Sequence, residues 1–263
     1  MLNPRIIPCL LIHNNGLVKT TKFSEPKYVG DPINAVKIFN EKMVDELIVV
    51  DIDATRNGFK PNFNLIEKLA YECRMPLCYG GGIKSVEDAK RIFGLGVEKI
   101  AISSIAVERP EIIREISELV GSQSVVIVLD LKKRLFGGYD IFTNNGLIKS
   151  KRELFDFLDV IQKLGAGELV INSIDNDGLM KGYDNKLINS VRGKIDIPLT
   201  VMGGASSLED FGNVIEEHGI IGLAAGSFFV FKGKYKAVLI SYPSVEEKSN
   251  LISKYFIPNW DVK

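Results

Sequence analysis

Tyr79-Gly80-Gly81-Gly82, followed by Ile100-Ala101-Ile102-Ser103-Ser104, has a second version later in the chain: Met202-Gly203-Gly204-Ala205, followed by Leu223-Ala224-Ala225-Gly226-Ser227. The step from Gly81 to Gly203 is 122 residues, and from Ala101 to Ala224 it is 123. Each block reads as a buried strand running into a glycine turn, a helix, and a second strand that ends in small residues. Small residues let backbone N–H groups approach a phosphate closely. Two such cradles point to a ligand with two phosphates, one bound by each half of the protein.

Working outward, apolar runs recur at 6–12, 47–52, from 76, 97–102, 125–129, 169–174, 199–202 and 220–225. Between them lie amphipathic segments at 31–42, 65–73, 86–95, 110–120, 152–164, 186–191 and 207–217, and a last one at 245–255 closes the series. Short apolar runs joined by helices mean parallel strands with right-handed crossovers. Eight such units in 263 residues predict a single (β/α)8 TIM barrel with a two-fold half-barrel repeat, a fold that usually takes about 250 residues. The halves are expected at about 1–122 and 123–245, with a C-terminal helix and tail at 245–263. Ser85 with Asp88, and Ser207 with Asp210, have capping-box spacing at two helix starts. The long segments 13–30 and 132–151 are expected as loops at the barrel mouth, the second holding a hairpin around Asn144-Asn145-Gly146. In the tail, Phe256, Ile257 and Trp260 either cover the barrel or meet a partner.

Lys+Arg and Asp+Glu both number 33, so net charge is zero and nothing suggests a nucleic-acid partner or an anionic membrane surface. Cys9, Cys73 and Cys78 lack metal-ligand or disulfide spacing and read as buried thiols of a reducing compartment. No leader precedes the first strand and no apolar run approaches a membrane span, so a cytoplasmic protein is expected, with neither metal nor cofactor.

The repeat also compares candidate site residues. Leu11 corresponds to Asp130 at an offset of 119, and Asp51-Ile52-Asp53-Ala54 to Asp175-Asn176-Asp177-Gly178 at 124. Asp130 ends the fifth strand at the mouth, where a sheltered carboxyl can be tuned to move a proton near neutral pH. Asp177 either orients a substrate or caps the phosphate loop. Lys19, in the first loop, is either a lid ammonium that neutralises charge on closure or a solvated side chain. His13 could reach the mouth, whereas His218 reads as a surface or helix-end residue. At the strand starts stand Arg5, Glu46, Lys99 and Glu168. By alternation, Arg5 shares a face with Leu11, Lys99 with Ser103 and Glu168 with Asn172. If those faces point inward, two cations and two anions converge at the bottom of the barrel.

These features, together with Asp31-Pro32, Asp45-Glu46-Leu47, Gly165-Ala166-Gly167-Glu168, Ser173 through Gly178 and Gly182-Tyr183-Asp184, make the chain resemble the cyclase (HisF-type) subunit of imidazole glycerol phosphate synthase. The resemblance implies a glutaminase (HisH-like) partner on the N-terminal face and ammonia passing through the barrel to a phosphorylated ligand at the C-terminal mouth. It implies a channel gate of Arg5, Glu46, Lys99 and Glu168, and partner contact at Glu98. Phosphate contacts carry over to Gly82, Ser103 and Ser104 on one side and to Gly178, Gly203, Gly204 and Gly226 on the other, with Gly81 and Ser227 adjoining. Lys19, Asp130 and Asp177 carry over as mouth residues. Leu11 departs from the pattern, because the family's cyclase has an aspartate there. The combination resembles a HisF-like branch linked to surface-polysaccharide pathways, which implies ammonia supply to an ATP-dependent enzyme that amidates a nucleotide-linked sugar. The rivals are an authentic cyclase of histidine synthesis, a non-catalytic phosphate-binding module, and a sugar-phosphate isomerase of the half-barrel type.

Overall fold

The barrel strands are β1 (Arg5–His13), β2 (Leu47–Asp51), β3 (Leu77–Gly80), β4 (Lys99–Ile102), β5 (Val125–Lys133), β6 (Glu168–Ser173), β7 (Leu199–Met202) and β8 (Gly222–Ala225). In the computed structural model, which describes residues 3–256, each strand pairs in parallel with the next and β8 closes on β1. A register path leaving β1 at residue 9 returns to it at position 1, a shear of eight, which is the TIM-barrel value. Ile257 and Trp260 lie outside the described residues.

Eight helices cover the ring: α1 (Pro32–Glu41), α2 (Phe63–Glu72), α3 (Val86–Gly94), α4 (Glu111–Val120), α5 (Leu154–Lys163), α6 (Asn185–Arg192), α7 (Leu208–His218) and α8 (Val245–Tyr255). The strands are therefore buried on both faces, which is why they read as continuous apolar runs instead of alternating ones. Outward residues such as Ile6, Leu10, Leu47, Leu77 and Ile127 pack with Phe39, Phe157 and Phe211 of the helices. Inward residues Ile7, Cys9, Ile48, Cys78, Ala101, Val126, Val170 and Ala224 form a separate core on the axis.

Segment 13–30 is a β-hairpin, not the loop its polarity suggests. Its strands Gly16–Thr21 and Ser24–Gly30 extend the sheet from β1, with Leu11 opposite Val18. The outer strand is mostly exposed, so main-chain pairing holds it and no apolar alternation marks it. The second half repeats the device: β5 runs on into Tyr139–Thr143, and Ile148–Lys149 follows. The turn between these last strands has Asn144, Asn145 and Gly146 all at positive φ, where the sequence places it.

Ser207 and Asp210 complete a capping box at α7. At α3 only half of one forms. Ser85 accepts the Asp88 N–H, but the Asp88 carboxylate turns to the N–H of Lys84. Cys9 and Cys78 are buried as expected, whereas Cys73 is half-buried.

The register corrects the sequence alignment of the two halves. Leu11 pairs across to Val50 as Asp130 does to Asn172, which supports the Leu11–Asp130 equivalence. Val50 meets Gly80 as Asn172 meets Met202, an offset of 122 and not 124. Asp53 is thus the counterpart of Asp175, not Asp177. The contacts agree: Asp53 accepts the N–H of Asn14, and Asp175 accepts that of Lys133.

Candidate functional site

The C-terminal mouth is lined from both halves, with Leu11, Lys19, Gly81, Gly82, Ser103 and Ser104 facing Asp130, Asn172, Asp177, Gly178, Gly203, Gly204, Gly226 and Ser227. The glycine turns after β3 and β7 have the same cause. Gly81 and Gly203 have φ of +115° and +94°, and a Cβ on either would strike the carbonyl oxygen of Asp51 or Ser173 at the end of the neighbouring strand. Only glycine lets the turn close over that strand. After β4 and β8 the chain passes at once into short helices, Ser104–Glu108 and Ser227–Val230. Their leading N–H groups lie at the mouth beside the glycine turns, a donor arrangement suited to anions. Ser103 Oγ is buried and has no hydrogen-bond partner among the described residues, while Ser104 Oγ accepts the N–H of Asn144.

Asp130 sits at the mouth floor, and burial raises its carboxyl to about 7. Asn172 Nδ2 donates to Asp130 Oδ1 at 3.0 Å and opposes that rise, while the charge of Asp177 adds to it. Asp177 is also pushed up by burial, offset by Lys19, the Thr20 hydroxyl at 3.1 Å and the N–H of Phe23. Lys19 is not a solvated side chain: it stands in the first hairpin strand and not in a loop, 4% exposed, and donates to the carbonyl of Cys9. Burial lowers its proton affinity, against the pull of Cys9 and Asp177. Leu11 lines the mouth as its register position requires.

At the opposite end of the barrel, Arg5, Glu46, Lys99 and Glu168 meet on the axis. Arg5 pairs with Glu46 and, at 2.6 Å, with Glu168; Lys99 reaches Glu46 at 3.0 Å and Glu168 at 2.9 Å. Thr200 donates a further hydrogen bond to Glu168. Burial works against the charges of Arg5, Lys99 and Glu168. The two carboxylates outweigh it to hold Arg5 and Lys99 protonated, and the two cations hold Glu168 ionised. Glu98 lies outside the ring, exposed, with one oxygen accepting the N–H of Leu77.

Three features of the site were not singled out from sequence. Asn172 clamps Asp130, and its inward parity with Glu168 was the available signal. Thr20 is invisible because the hairpin that aims it reads as loop. Asp53 receives His13 Nδ1 at 2.7 Å at the rim, a pairing across two strands. His218 ends α7 as expected, but its side chain is only 7% exposed and burial lowers its proton affinity. No group of three or more His, Cys, Asp or Glu among the described residues could hold a metal ion.

The fold and site together define a (β/α)8 barrel with paired glycine cradles at one end and a buried ion-pair ring at the other. A family model described as "Histidine biosynthesis protein" matches residues 5–236. A Vibrio vulnificus protein named "Putative imidazole glycerol phosphate synthase subunit hisF3" is 56% identical over 96% of this chain and 97% of its own length. A Leptospira borgpetersenii protein with the corresponding HisF name is 53% identical over 95% of this chain and 99% of its own. An "Imidazole glycerol phosphate synthase subunit HisF" of Clostridium botulinum is 37% identical over 88% of this chain and 92% of its own. The chain belongs to the histidine biosynthesis protein family and, within it, to the HisF-like imidazole glycerol phosphate synthase subunits. No described helix is long and apolar enough to cross a membrane.

Proposed function

We propose that this chain is the synthase subunit of a glutamine amidotransferase. A glutaminase docks on the N-terminal face near Glu98, and ammonia enters past the ion-pair ring. It crosses the axis between Cys9, Cys78, Ala101 and Ala224 and emerges beside Asp130 and a phosphorylated ligand. The ring carries this reading. Isolated buried ion pairs stabilise a fold poorly, so four charges gathered on a barrel axis favour a gate. Each carboxylate has two cations, so drawing Arg5 aside leaves both still paired to Lys99. Arg5 is the most accessible member, its side chain 28% exposed. Beyond the ring the axis is apolar, which favours neutral ammonia over ammonium.

The finer reading is that the nitrogen goes to amidation of a nucleotide-linked sugar by an ATP-using enzyme, in surface-polysaccharide synthesis. Leu11 supports it, because a leucine facing Asp130 removes one of two proton-transfer groups from ring closure. The second reading is a true cyclase. It is favoured by the near-neutral Asp130 carboxyl and by the His13–Asp53 pair at the rim, which is a proton-transfer arrangement.

Glutamate release by an added HisH-type glutaminase, with and without this chain, tests the first reading. Stimulation that is lost in Arg5→Ala supports it, and no stimulation overturns it. Imidazole production from the bisphosphate aminoimidazole precursor and ammonium salt separates the two. The amidotransferase reading expects negligible turnover, rising about 10²-fold or more in Leu11→Asp. Wild-type turnover at the level of histidine-pathway HisF establishes the cyclase.

A further inference from the structure

A second groove opens off the mouth, between the first hairpin and a hairpin near the end of the barrel formed by Phe231–Lys232 and Ala237–Val238. Lys19, Thr20, Gly178 and Ser227 line both spaces, so the groove is continuous with one phosphate cradle. Its outer part carries Lys27 and Lys236, brought together from opposite ends of the sequence.

Lys27 Nζ lies 3.5 Å from the carbonyl of Lys236 and 5.1 Å from the ring centroid of Phe231. Lys236 Nζ lies 3.4 Å from the carbonyl of Gly178. Among the described residues neither ammonium has a carboxylate within 4.0 Å, although Glu25 also lines the groove. Two ammonium groups on one groove repel unless an anion lies between them, and their present partners are carbonyls at the long edge of hydrogen bonding.

From this arrangement we infer a second anion subsite directly beside the Gly178–Ser227 cradle, so that this side of the mouth accepts a diphosphate group and not a single phosphate. The first phosphoryl lies on the backbone N–H groups of the cradle. The second lies between Lys27 and Lys236. The inference rests on the reading of the mouth as a phosphate site.

Calorimetric titration of the full chain with inorganic phosphate, inorganic pyrophosphate and uridine diphosphate tests it. Pyrophosphate is expected to bind about tenfold more tightly than phosphate at low salt. The preference should fall below twofold in Lys27→Gln/Lys236→Gln, with pyrophosphate affinity falling more than phosphate affinity; both side chains are exposed, so the fold tolerates the change. Uridine diphosphate matching pyrophosphate identifies an ester as the occupant, and binding tenfold weaker identifies the free anion. Phosphate binding without a pyrophosphate preference, or a preference that survives in the double variant, overturns the subsite alone. Binding of none of the three overturns the phosphate reading of the mouth with it.

Discussion

Asp130 and Leu11 line the same mouth from the two halves of the barrel, and the carboxyl is the one of the two that can titrate. A carboxyl raised by burial to about 7 holds its proton more tightly folded than unfolded. Its stability cost is therefore absent below the unfolded value near 3.8, grows as pH rises, and is complete above 7. Asp130→Asn keeps the acceptor for Asn172 and removes that cost. Thermal unfolding should show the variant more stable than wild type at pH 8, by up to about 4 kcal/mol for a rise of this size, or several degrees in Tm. The gain should vanish at pH 4. A gain independent of pH would mean that Asp130 is not a raised carboxyl. Leu11 could be weighed from sequence because its counterpart lies one half-barrel away. Asn172 could not, because its role depends on which neighbour its amide meets.

The helix caps and hairpins show where local signals suffice. Ser207 and Asp210 lie three apart, and their reciprocal bonds need only the first turn of α7. Ser207→Ala should cost about 1 kcal/mol, read as a drop of about 2–4 °C in Tm. Ser85 and Asp88 have the same spacing, yet the Asp88 carboxylate takes the N–H of Lys84 alone, whereas Asp210 takes the equivalent N–H of Ser206 and that of the cap residue Ser207 as well. The hairpin at 16–30 was not legible. Its outer strand is exposed and held by main-chain bonds to a partner strand, so side-chain pattern carries little of its signal. The turn at Asn144-Asn145-Gly146 was legible because positive φ itself selects those residues.

Across the molecule, the closed sheet joins two ends that differ in kind. One end is made of glycine turns and the starts of two short helices, and the other of four mutually neutralising side chains. Glu168→Gln leaves Arg5 and Lys99 sharing one carboxylate. Removing one partner from a buried pair costs about 3–5 kcal/mol, and urea unfolding should show a loss of that order. Glu98→Gln, at an exposed carboxylate on the same face, should leave the urea midpoint unchanged. Equal midpoints for both variants would mean the ring adds nothing to the fold, and a ring dispensable for stability would be held for gating alone.

Strand number, parallel pairing, the half-barrel repeat and the two glycine cradles were all present in the order of residues along the chain. They follow from runs of apolar side chains and from backbone angles that only glycine accepts, which are local properties. The alignment of Asp53 with Asp175, the burial of Lys19 under Cys9, the clamp of Asn172 on Asp130 and the meeting of Lys27 with Lys236 depend on register and on hairpins that fold back over the mouth. Each is a contact between segments far apart in the chain, and no local pattern specifies which distant atom a side chain will meet.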